Sequence, residues 1–162
     1  MRRHVPAAIF ASLVLFPFCA KTSKTPVPPP FTLTATLNGT PATFNAVITV
    51  DSASTPGTVY IVGNSDSANL TPLLEVSLTS NRPLAAGTYS FPDTSGGNSG
   101  TLGYTAWRGG TAVQYPRVTD TIVLTTVNAN WLSGTFQGTC AYSPDSVVTI
   151  TNGKFTVGWN QR

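Results

Sequence analysis

Histidine is nearly missing from this chain: the single one among its 162 residues is His4, close to the start. Everything downstream therefore lacks an imidazole, which removes Ser-His-Asp and Cys-His catalysis and most zinc sites. Cysteine is almost as scarce, with only Cys19 and Cys140, so no disulfide framework carries the fold. Charge is thin as well, at 9% of residues, where ordinary globular domains hold roughly 25%. Of nine basic residues Arg2 and Arg3 lie in the leader, leaving seven against six acidic ones and a net charge of +1. The few remaining Lys and Arg are scattered, which gives no warrant for a nucleic-acid partner, and none is expected. No segment past the leader repeats its apolar residues with a helical period.

What is abundant is Thr, Ser, Gly and Pro around a globular share of hydrophobic residues, 41%. That is the composition of a β-rich, loop-rich extracytoplasmic domain, and the slightly positive mean hydropathy argues against disorder.

Met1-Arg-Arg-His4 followed by the apolar run Val5 to Phe18 has the form of a bacterial secretory signal. The run is shorter than the roughly 20 apolar residues that span a membrane, and Pro6 and Pro17 interrupt it. Cys19 after this run resembles the lipobox of bacterial lipoproteins, in which it would become the lipid-modified first residue and the membrane a partner. Leu15-Phe16-Pro17-Phe18 departs from that pattern, with a large residue before the cysteine, and secretion without a lipid is the alternative. Ala20 to Pro30 ends in prolines and reads as a polyproline II tether, reaching roughly 30 Å at about 3.1 Å per residue. The division expected is thus a signal peptide over 1–18, a tether over 19–30 and one domain over 31–162, exported and held at the outer membrane or its periplasmic face.

Within the domain the period is two residues, which sends alternate side chains to opposite faces. Phe31, Leu33, Ala35 and Leu37 share one face, and Asn38-Gly39 turns the chain into Thr43 to Val50. Thr58 to Gly63 is apolar on both faces and reads as a strand covered on both sides. Thr101 to Trp107 and Ala112 to Tyr115 flank a tight turn at Arg108-Gly-Gly110. Leu132, Gly134, Phe136, Gly138, Cys140 and Tyr142 alternate with Ser133, Thr135, Gln137 and Thr139, giving a buried face and a wet one. Asn152-Gly153 reads as a type I′ turn closing a last hairpin, with a glycine bulge as the alternative. Counting the runs gives about ten short strands, an all-β antiparallel sandwich or a β-barrel.

The segments Ala35-Thr-Leu-Asn-Gly39, Gly87-Thr-Tyr89, Gly134-Thr-Phe136 and Ile150-Thr-Asn-Gly-Lys-Phe155, in this order, resemble a group of small Bacteroidota envelope lipoproteins of unknown function. The resemblance spans nearly all of Phe31 to Trp159 and implies a β-sandwich behind a lipid anchor. Its motifs are structural and imply no active site. Asp-Ser/Thr followed by a small or aliphatic residue, at Ser52, Ser67, Thr121 and Ser146, resembles the O-glycosylation acceptor pattern of the same bacterial group.

The chemistry on offer is modest. Cys140 shares a face with Leu132 and Phe136 and reads as a buried structural thiol. Glu75, Asp93, Asp120 and Asp145 are the carboxylates from which a glycosidase pair would have to come, the aspartates falling at loop and strand edges. No metal site and no cofactor is expected. Aromatics are the best lead: Trp107, Tyr115, Trp131, Tyr142 and Trp159 are many for one domain, while Tyr60, Tyr89 and Tyr104 are assigned to the core. Trp107, Arg108 and Tyr115 form the expected ligand-binding set, for a glycan or an envelope protein. The expectation is a non-enzymatic binding or structural module, with a carbohydrate-active enzyme or a subunit of an envelope assembly as alternatives.

Overall fold

A computed structural model describes residues 30–51, 57–65, 72–93, 97–128 and 130–158, without side chains at 46–51, and among the described residues there are ten strands and no helix. Residues 1–29, which hold the expected signal peptide, Cys19 and all of the expected tether but Pro30, lie outside the described residues, as do Ser52, Ser67 and Trp159. In chain order the strands are β1 (Thr32–Leu37), β2 (Thr40–Asp51), β3 (Val59–Asn64), β4 (Leu73–Ser80), β5 (Gly87–Phe91), β6 (Asn98–Arg108), β7 (Thr111–Tyr115), β8 (Arg117–Val127), β9 (Trp131–Ser143) and β10 (Ser146–Gly158).

They join in one mostly antiparallel sheet of order β4-β3-β2-β1-β10-β9-β8-β5-β6-β7, and β4 also pairs with β6. The ladder therefore returns on itself, with all strands but β7 in the circuit. Of the two all-β architectures compatible with the sequence, this is the closed one. Closure satisfies backbone groups that an open sheet would leave at its edges. The core fills the interior with the inward-facing set: Leu33, Phe44, Ile61, Leu74, Leu102, Ile122, Leu124, Leu132, Ile150 and Phe155 are all buried.

Asn38 and Gly39 both have positive φ, 47° and 84°, and Leu37 pairs with Thr40, so the first hairpin closes as expected for Asn-Gly. Asn152-Gly153 does not. β10 runs unbroken through it, and the β9–β10 hairpin closes instead at Pro144-Asp145. Asn152 takes φ 51°, but the pairing passes from Ile150↔Gly138 to Gly153↔Phe136, so two residues face one and the strand bulges. Gly153 is needed for space: a Cβ there would lie 2.4 Å from the Phe136 ring.

β3 corrects a second expectation. A strand in a closed wall has one interior face, and Tyr60 points outward at 38% exposure while Val59 and Ile61 are buried. Tyr89 is in the core as expected, its hydroxyl donating to the Ala85 carbonyl at 3.0 Å and accepting from the Ala85 N–H at 3.3 Å. That contact gives Gly87-Thr-Tyr89 its role, tying the approach to β5 back onto the strand itself.

Candidate functional site

The expected aromatic set is split by strand parity. Antiparallel partners share a face, and β6–β7 pairs Trp107 with Ala112 but Tyr104 with Tyr115 and Arg108 with Thr111. Trp107 therefore stands on one face of the ribbon, 54% exposed, and Arg108 and Tyr115 on the other. Tyr115 is only 2% exposed and cannot stack on a ligand from there, which corrects its place in the binding set. It is the buried centre of a cluster at one rim of the barrel, 5.4 Å from Tyr104 edge-on and 6.1 Å from Tyr142. The Arg108 guanidinium lies 5.4 Å from its ring centre, and Ser146 Oγ donates to its hydroxyl at 3.3 Å. Tyr104, assigned to the core, is half-buried; its burial, followed by the neighbouring Tyr115, raises its hydroxyl pKa, and Arg108 partly offsets this. Tyr142 ends the gradient at 63% exposure, and Trp131 is half-buried.

The carboxylates sit on four elements: Glu75 on β4, Asp93 after β5, Asp120 in β8, Asp145 in the β9–β10 turn. Among the described residues no three His, Cys, Asp or Glu side chains gather in reach of one ion. Asp120 is the surprise, because it is mid-strand, inward and 4% exposed, where a loop or strand edge was expected. The wall explains it. Along one edge of β6, β5 pairs at Ser99 and β7 begins at Tyr104, so the backbone between them meets no strand on that side. Two side chains fill the gap. Asp120 Oδ2 accepts the Leu102 N–H at 3.0 Å, and Cys140 Sγ donates to the Leu102 carbonyl at 3.8 Å.

Burial raises the Asp120 pKa above the ordinary carboxylate range, while the Leu102 N–H, Arg117 and the Phe91 backbone pull it back. Its Oδ1 is buried with no hydrogen-bond partner. Burial, and then the negative charge of Asp120, push the Cys140 thiol to about 11. The thiol is thus protonated and inert at neutral pH, as a structural role requires.

Outside this patch the wall carries a groove of about 450 Å³ lined by Ser90, Phe91, Pro92, Thr119, Thr121, Gln137, Thr139, Thr149 and Thr151, with Asp120, Gly138 and Ile150 in its floor. A second hollow of about 340 Å³ shares Thr121 and Gln137 and extends along β9 and β10 to Thr135, Asn152 and Lys154. Register builds both. Thr135 pairs with Val123 and Lys154, Gln137 with Thr121, and Thr139 with Thr119 and Thr149, so the outward side chains form cross-strand rows of hydroxyls and amides. The bulge at Thr151 and Asn152 sets two polar side chains opposite Gln137. Thr121, an expected acceptor of O-glycosylation, lies half-buried at the junction of the two hollows, and Ser146, another, is held by Tyr115.

The sequence showed the wet face of β9 as alternation. It could not show that the two neighbouring strands, β8 and β10, put their own hydroxyls beside it, because that depends on register. The chain matches no protein-family model, no curated protein and no solved structure.

Proposed function

We propose that this protein is a non-enzymatic glycan-binding module, exported and held at the cell envelope by lipid on Cys19. The observation that carries the glycan reading is the continuous pair of hollows, whose rows of Thr, Ser, Gln and Asn side chains present both donors and acceptors. A sugar hydroxyl also donates and accepts, and Phe91 and Pro92 offer an apolar wall for a ring face. The only acidic group in the lining, Asp120, is committed to the Leu102 N–H, so nothing here supplies a catalytic carboxylate pair. The envelope address rests on the leader and the lipobox resemblance.

The test joins mass and binding. Protein from the membrane fraction of the native host should give an intact mass beginning at Cys19 with acyl chains. The same preparation should retain cell-envelope polysaccharide, and Gln137→Ala with Thr121→Val should weaken retention at least tenfold without lowering Tm. Retention unchanged in the double variant would reject the groove.

A second reading, attachment to an envelope protein, is favoured by exposed Trp107 and Tyr142 at the barrel end opposite the one where Thr32 begins. A tethered domain would present that end outward.

A further inference from the structure

Resting on the glycan reading, we infer that the groove takes an acidic glycan, one carrying carboxylates near both ends of the bound stretch. The argument is the distribution of charge. Lys154 lines the far end of the second hollow and is exposed. At the other end Arg117 lies with its guanidinium 4.1 Å from the centre of the Phe91 ring, and Phe91 itself lines the first hollow. Between these two cations every lining side chain that reaches the surface is uncharged, and the single acid, Asp120, is buried beneath.

The spacing follows from the ladder. Lys154 pairs with Thr135 and Arg117 with Cys140, so the two cations are separated along β9 by the stretch from 135 to 140, roughly 17 Å at about 3.4 Å per residue. That is the length of a short oligosaccharide and far longer than one sugar. Arg117 stands over an aromatic face and carries a planar fork suited to a carboxylate, whereas Lys154 is an exposed point charge. A neutral centre between two cations recognises hydroxyls in the middle and acid groups at the ends. A purely neutral glycan would draw no charge pairing from either cation; a polyanion such as nucleic acid would set unpaired phosphates against hydroxyls in the middle.

The probe is a uronic acid oligosaccharide of four units, compared by calorimetry with its carboxyl-reduced form on the full chain in detergent. The acidic form is expected to bind at least tenfold tighter, the margin shrinking as salt rises from 0.05 to 0.5 M, roughly the range over which exposed charges become screened. Lys154→Gln and Arg117→Gln should each weaken the acidic form about threefold to tenfold and leave the reduced form unchanged. Gln137→Ala should weaken both forms alike. If the two forms bind equally and neither cation variant matters, the charge inference is overturned while the glycan reading stands. Should neither form bind, and envelope polysaccharide also fail to be retained, both are overturned.

Discussion

Two aromatic clusters share strand β9, through Phe136 and Tyr142, and are built on different terms. Phe136 and Phe155 stack 6.3 Å apart across β9 and β10, and the strands beside them are glycine where the rings pass. A Cβ at Gly134 would stand 2.4 Å from the Val123 carbonyl and 2.7 Å from the Phe155 ring, and one at Gly153 would strike the Phe136 ring. Among the described residues the tyrosine cluster has no such glycines. It grades from buried Tyr115 through half-buried Tyr104 to exposed Tyr142, and Tyr115 offers a hydroxyl that meets Ser146 and a ring that meets Arg108. Rings against backbone leave no room to adjust; rings against other side chains do. The phenylalanine seam should therefore carry stability and the tyrosine rim should tolerate change.

The largest effect should come from breaking the seam. Phe155→Ala removes a fully buried ring and is expected to cost about 3–5 kcal/mol. Gly134→Ala should cost about 1–3 kcal/mol by overpacking, because the atom in the way is a β8 carbonyl and not a movable side-chain end. Urea unfolding of each variant measures both. A loss below about 0.5 kcal/mol in either would mean that the wall flexes and that the contrast with the rim is wrong.

The gap between β5 and β7 sharpens the comparison, since there side chains replace a missing strand. Asp120→Ala strands the buried Leu102 N–H and should cost about 1–3 kcal/mol, while Asp120→Asn keeps an acceptor and should cost less. The pH dependence has a definite sign. The folded pKa of Asp120 lies above its unfolded value, so its contribution is fully present below the unfolded pKa. It is lost as pH rises through the folded pKa. Stability measured upward from the ordinary carboxylate range should fall across that window in the wild type, and Asp120→Asn should remove that step. Cys140 has the same sign further up, with stability lost between about 9 and about 11.

Much of this wall was legible before any coordinates. Alternation placed Leu33, Phe136 and Cys140 inward, because a two-residue period needs only local backbone geometry. Asn38-Gly39 gave its hairpin for the same reason. The misreadings share a cause outside local sequence. Asn152-Gly153 has the residues of a turn, but its glycine answers to a ring on the neighbouring strand, and Pro144-Asp145 took the turn instead. Tyr115 has the composition of a binding residue, and its burial depends on which face of β6 its partner occupies. Asp120 looked like a loop aspartate because nothing near it in sequence reveals a break in β6 pairing. The groove was half legible, through β9 alone, and completed only by the registers of β8 and β10.

The smallest effects should fall at the tyrosine rim, and they decide whether it is a working surface or filler. Tyr115→Phe keeps the ring and removes the hydroxyl that accepts from Ser146, a partly buried hydrogen bond that should be worth about 1 kcal/mol. Trp107→Ala should change stability by no more than about 0.5 kcal/mol, as its side chain is mostly in water. A free exposed tryptophan should also emit as a solvated indole, and its removal should delete that red-shifted component from the fluorescence while leaving the unfolding midpoint in place. If Trp107→Ala instead lowers stability by more than about 1 kcal/mol, the ribbon packs where it stands and its tip is part of the fold. If stability holds and only attachment to an envelope protein falls, the ribbon is the partner-facing end.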